Sequence, residues 1–179
     1  MPEITDTKIR LARLSERAPT RFRIVPDAES CAEIAERLGL SALRKLRLEG
    51  ELVPEGRADW RLAAHLGATV VQPCVVTLAP VTTRIETDVT RVFRARMPDL
   101  PSGDEIAMPE DDTEEPLPDV LDLSALLEEV LALALPLYPR AEDAELGEAV
   151  YAPPGAKALR DADVKPFAAL ADLKKKLDG

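Results

Sequence analysis

Between positions 122 and 140 the sequence reads DLSALLEEVLALALPLYPR, and no other stretch limits the fold so tightly. Asp122 and Ser124 can accept hydrogen bonds from the free N–H groups of a first helical turn, and Glu128 and Glu129 suit its positive end. Leu123, Leu127, Val130, Leu131 and Ala134 recur at helical spacing, with Leu126, Leu133 and Leu135 on the flank. Almost no polar face remains past Glu129, so that part of the helix is expected inside a core. Pro136 lacks an N–H and clashes with the turn before it, which ends the helix, and Pro139 makes the exit stiff and extended. The apolar run from Val130 to Leu137 is far short of the roughly 20 residues needed to cross a bilayer.

A core helix needs something to pack against. At 179 residues and 46% hydrophobic, the chain can form one domain with a sizeable core, with or without mobile segments. Only 3% of residues are aromatic, so the core is aliphatic and platforms for stacking nucleotide bases are scarce. A net charge of −10 repels phosphate backbones as a whole and suits a partner of basic proteins. The opening MPEITDTKIRLARL holds no uninterrupted apolar signal, which together with the absence of a long apolar segment gives a cytoplasmic expectation. Cys31 and Cys74 do not make a disulfide framework and fit a reducing compartment.

Strands are expected ahead of that helix. After a polar leader, Arg21 to Val25 alternates with Phe22 and Ile24 on one side, and Pro26 ends it. Asp27 reads as an N-cap for a short amphipathic helix carrying Ala28, Cys31, Ile34, Ala35 and Leu38, with Gly39 placed for a positive φ. Leu46, Leu48 and Leu52 alternate with charged residues, Pro54-Glu55-Gly56 supplies a turn, and Trp60, Leu62, Ala64 and Leu66 resume the pattern. Gly67-Ala68 suggests a second tight reversal into an almost continuous apolar run, Thr69 to Leu78, whose Pro73 implies a bulge or an edge. Val81, Thr83, Ile85, Thr87 and Val89 then oppose Thr82, Arg84, Glu86, Asp88 and Thr90 in a long half-solvated strand. Val92 breaks that alternation, which a bulge near Arg91-Val92 would explain.

The predicted fold is α+β: a curved antiparallel β-sheet or partly closed barrel packed by a central apolar helix, with a flexible acidic loop and a C-terminal tail helix. Its organisation within a single domain, 1–179, is a β-rich part with one short helix over 1–97, an acidic flexible insert over 98–119, the core helix and its exit over 120–140, and a mobile tail with a short helix over 141–179. The insert carries Asp104, Glu105, Glu110, Asp111, Asp112, Glu114 and Glu115 among several prolines and without Lys or Arg, a composition that cannot bury enough to order itself. It lacks the spacing of a calcium loop, so no metal site is expected there. Phe167, Leu170, Leu173 and Leu177 give the tail its helical pattern, with Lys174, Lys175 and Lys176 at the basic end.

Motifs for chemistry are sparse. There is no Gly-rich phosphate loop, and His65 is the single histidine, which excludes a multi-histidine zinc site. A nucleophilic dyad would have to join His65 to Cys74, with no third residue to orient it and no evident oxyanion hole. No catalytic residue, cofactor or small-molecule substrate is expected. The basic residues hold more promise: Arg84, Arg94 and Arg96 share the outer parity of one long strand, and Lys45 and Arg47 point outward from another. Such a stripe could hold phosphates, or Arg84 could simply pair with Glu86 or Asp88 on the same face.

Two stretches, VQPCVVTLAPV over 71–81 and Asp122-Leu123 followed by EEVLALALPLYP over 128–139, together resemble the YceD family, its alphaproteobacterial branch in particular. PFAALADLKKK over 166–176 is similar to that family's C-terminus. The resemblance implies a process, accumulation of large-subunit ribosomal RNA, and carries no catalytic residue with it. Many relatives have C-x-x-C in the first motif. Val71 stands at the first of those positions here, so a metal or dithiol role does not transfer.

The function expected is therefore a non-catalytic factor in large ribosomal subunit biogenesis that binds a basic ribosomal protein or pre-ribosomal particle, the acidic loop acting as a phosphate-like lure. Direct binding of ribosomal RNA through Arg84, Arg94, Arg96 and the three lysines is the alternative, and a cysteine-dependent enzyme a remote third.

Overall fold

The computed structural model describes residues 3–56, 58–97 and 114–145. Contacts group the chain into Met1–Ala141 and Glu142–Gly179. In the second unit the described residues are 142–145, with a turn at Glu142 and Asp143. The predicted tail helix and Lys174, Lys175 and Lys176 lie outside the described residues, as do Asp104, Glu105, Glu110, Asp111 and Asp112.

The first unit is α+β. Its main sheet runs in the order β1 (Glu3–Ile4), β3 (Thr20–Ile24), β4 (Ala42–Glu55), β5 (Asp59–Pro73), β6 (Pro80–Arg94) and β7 (Glu114–Pro116). The four central strands are antiparallel, and the short outer ones join in parallel. The partly closed barrel is corrected: β1 and β7 are the two ends of an open sheet. The leader is not merely polar either. β2 (Lys8–Ile9) pairs with β8 (Leu121–Asp122), and Ile9 and Leu11 are buried.

Alternation sorts the long strands into two faces. Phe22, Leu48, Leu52, Leu62, Leu66, Val70, Ile85, Val89 and Phe93 point into one aliphatic cluster. Two helices cover it. α1 (Ala28–Arg37) starts where the Asp27 carboxylate accepts the Ser30 N–H at 2.8 Å, ends before Gly39 at φ +65°, and packs on β4. α2 (Leu123–Ala134) starts where Asp122 accepts the N–H groups of Ser124 and Ala125 at 3.0 and 3.1 Å. It lies on β5 and β6 and buries Leu123, Leu126, Leu127, Val130 and Leu131. Burial at this helix is one-sided to its end, against the expectation of an enclosed second half: Ala132 and Leu133 are exposed, Leu133 by 75%.

Three other expectations are corrected by the register. There is no reversal at Gly67-Ala68, since β5 runs unbroken from Asp59 to Pro73. Gly67 instead leaves room for the Arg47 guanidinium, which lies across the strand where a Cβ would sit. The reversal comes at residues 74–79, closed by Cys74 N–H to Ala79 O at 2.8 Å and Leu78 N–H to Cys74 O at 2.9 Å. Pro73 is simply the last residue of its strand, paired with Pro80. No bulge occurs at Arg91-Val92, because β5 and β6 keep register from Pro73–Pro80 to Trp60–Phe93. Val92 is an outer-face residue between Arg61 and Glu114, long side chains whose stems can shield a valine. The register shift is in β4, between Arg44 and Arg47, where Lys45 takes φ 52°.

Candidate partner-binding surface

The face opposite the helices is a lattice of charge set by strand pairing. Arg23, Glu49, His65 and Asp88 form one row across four strands, and Arg47, Gly67 and Glu86 the next. Oppositely charged neighbours at this spacing reach one another. Glu86 is the hub: Arg84 Nε donates to it at 2.9 Å, His65 Nε2 meets it at 2.7 Å, and Arg47 Nη2 lies 3.2 Å away. Arg84 first, then His65 and Arg47, pull the Glu86 pKa down to about 2. His65 Nδ1 meets Asp88 at 2.7 Å, so both ring nitrogens face carboxylates, Asp88 raising the imidazole pKa most and Glu86 next.

A second cluster closes the far end of the sheet. Arg94 donates to Asp59 at 3.1 Å and to Glu114 at 2.6 Å, and both carboxylates hold its proton more firmly, Glu114 the more strongly. Asp59 also accepts the Ala95 N–H at 2.9 Å, the main cause of its lowered pKa. Nearby, Arg91 sits between Glu115 and Glu129, each at 2.9 Å. These contacts correct the picture of a wholly unordered acidic insert: residues 114–116 form β7, held to β6 by its register and by Arg91 and Arg94.

Of the predicted Arg stripe, then, Arg84 and Arg94 are both tied to carboxylates, while Arg96 is exposed just beyond β6. The stripe is divided between two clusters. Sequence reasoning placed Arg84 beside Glu86 but missed Asp59 as the partner of Arg94. The signal was there: counting back across the β5 turn sets Trp60 opposite Phe93, which leaves Asp59 beside Arg94.

His65 and Cys74 are not brought together. They are nine positions apart along β5 and its exit, roughly 30 Å of extended chain. Cys74 sits at a hairpin tip outside the main core cluster, yet no solvent reaches it. Its Sγ accepts the N–H groups of Val76 at 3.4 Å, Thr77 at 3.5 Å and Ala141 at 3.5 Å. The Thr77 hydroxyl first, then the Ala141 N–H, bring the thiol pKa down to about 6. The sulfur is thus the acceptor that organises its turn. Val75 N–H to Pro139 O at 2.9 Å stitches that turn to the segment leaving α2. Among the described residues no group of three His, Cys, Asp or Glu side chains is placed to hold a metal ion, and no helix is long and apolar enough to cross a membrane.

Among the described residues one sheet edge is also open. β6 is paired with β5 along its whole length, but with β7 only from Val92 to Arg94.

Neither a curated protein nor a solved structure gives a significant match to this chain. A family model does: the one described as large ribosomal RNA subunit accumulation protein YceD matches residues 62–174, taking in most of β5, the Cys74 turn, β6 and α2. With well over half of its length matched, the chain belongs to the YceD family, whose name ties it to accumulation of large-subunit ribosomal RNA.

Proposed function

We propose that this chain serves large-subunit biogenesis as a non-catalytic binding factor that holds a basic ribosomal protein, alone or on a pre-ribosomal particle. The observation that carries this reading is the engagement of Arg84 by Glu86, and of Arg94 by Asp59 and Glu114, on a chain of net charge −10. Guanidiniums already held by carboxylates offer little to phosphates, whereas the surplus of carboxylates attracts a cationic partner. The run of Asp104, Glu105, Glu110, Asp111 and Asp112 adds to that surplus.

Direct RNA binding is the competing reading, and it rests on the exposed Arg96 together with Lys174, Lys175 and Lys176. The two separate in one titration. Purified full-length chain is mixed with labelled large-subunit ribosomal RNA fragments and, separately, with a panel of purified basic ribosomal proteins across a salt series. A protein complex that persists when Arg84, Arg94 and Arg96 are all changed to Glu supports the adapter. RNA affinity that falls steeply with salt and disappears in that triple variant overturns it.

A further inference from the structure

We propose that the open edge of β6 over residues 80–91 accepts one extended segment of a basic protein as an added strand, with an apolar side chain of that segment seated against Leu133. The inference rests on the basic-protein reading and names the surface that such a partner would use.

Three observations meet at this edge. The first is backbone: since β5 takes up only one side of β6, alternate residues from 80 to 91 direct N–H and C=O groups outward, and among the described residues no strand pairs with them. Twelve residues make an edge of roughly 40 Å, long enough for a complete added strand. Unpaired strand edges of this kind are templates for β-augmentation.

The second is apolar. Beside the edge, on the helix side, a groove of about 440 Å³ runs between β6 and α2, lined by Thr87, Val89, Arg91, Val130, Leu133 and Ala134. Leu133 stands 75% exposed in it, two positions from the fully buried Leu131. A strand laid on β6 would turn every second side chain into this groove, where an apolar one covers Leu133.

Charge is the third and decides the occupant. On the outer side of the same edge Arg84 is held by Glu86, which leaves the carboxylate of Asp88, its side chain 91% exposed, as the excess charge. On the groove side Arg91 is outnumbered by Glu115 and Glu129. An extended segment alternating Lys or Arg with apolar residues therefore matches both sides at once. A second copy of this chain, itself of net charge −10, lacks the positive charge that this edge calls for.

The probe is a labelled ten-residue peptide alternating Lys and Val, titrated into full-length protein, with backbone amide exchange followed along β6. Binding is expected to slow exchange at alternate amides between residues 81 and 91 by tenfold or more. N-methylation of the peptide on one parity of its nitrogens is expected to abolish binding, and on the other to leave it within about twofold. Leu133→Asn, a change at an exposed side chain, is expected to weaken binding about tenfold while the circular dichroism spectrum stays unchanged.

Binding without slowed exchange on β6, equal binding by the two N-methylated peptides, or no binding at all overturns the inference. So does a concentration-dependent dimer in which the same amides are already slow, which would assign the edge to a second copy. Its fate and that of the basic-protein reading are separable. A ribosomal protein that binds without slowing β6 exchange ends the strand-addition inference alone, whereas a peptide that binds the edge while no ribosomal protein binds the chain ends the other.

Discussion

The two faces of the sheet are built on the same strands by opposite rules. On the helix side, side-chain volume decides: Leu48 pairs with Leu66 and Leu52 with Leu62, all fully buried, in the cluster that the two helices cover. On the other side, partner choice decides: Glu86 holds Arg84, Arg47 and His65 together, and no side chain there needs to fill a void. Damage on the first face should be costly whatever residue is introduced, and damage on the second should matter only where a pair is broken.

The largest effect is expected from Leu131→Ala. This fully buried leucine of α2 joins the same cluster as the sheet leucines, and its truncation should destabilise the chain by about 2–5 kcal/mol through lost burial and the cavity left behind. Urea unfolding of the two proteins measures the difference. A loss below about 1 kcal/mol would mean that the helix lies loosely on the sheet, and the two faces would then differ less than their burial indicates.

Two glycines sharpen the contrast. Gly50 lies on the helix side between Phe22 and Ala64, where an added Cβ would run into the Ala63 carbonyl and the Ala64 side chain. Gly67 lies on the charged side, where the same atom would meet the tip of Arg47. Backbone cannot yield but an arginine tip can. Gly50→Ala should therefore cost about 1–3 kcal/mol, and Gly67→Ala no more than about 0.5 kcal/mol, the worth of an exposed pair. The same urea titration ranks them, and equal losses would erase the distinction.

These sites also show what could be read before folding and what could not. The helix-side parity of β5 and β6, both N-caps and Gly39 were legible because each depends on residues within a few positions of one another: Asp27 with Ser30, Asp122 with Ser124, Val81 with every second residue to Val89. Gly67 was misread as a turn because its constraint comes from Arg47, twenty positions away and adjacent only once β4 and β5 pair. Val92 suggested a bulge for the same reason, since its shielding neighbours Arg61 and Glu114 belong to other strands. The candidate surface divides likewise. Arg84 with Glu86 follows from strand spacing, but the Asp59–Arg94–Glu114 cluster and the open β6 edge depend on register, and the exposed Leu133 depends on how α2 is rotated.

The smallest expected effect tests the charged face through its one titratable switch. His65 stands between Asp88 and Glu86, with Arg47 and Arg84 sharing Glu86 and Glu49 opposite it in the row. Because the two carboxylates raise its folded pKa above the usual 6.5, the charged imidazole contributes stability that is fully present below about pH 6.5 and is lost as pH rises through the folded value. Glu86 works in the opposite sense: its lowered pKa supplies stability above its usual 4.5 that fades as pH falls toward 2. The network is thus complete only between these limits. The difference in melting temperature between the native chain and His65→Gln should be larger at pH 5.5 than at pH 9, and the His65 ring signals should titrate with a midpoint above 6.5. Glu86→Gln should lower that midpoint by removing one of the two carboxylates. A midpoint at or below 6.5 in the native chain would show that the outer lattice is too well solvated to hold its pairs, and the proposed preference for a basic protein over phosphate would lose its physical support.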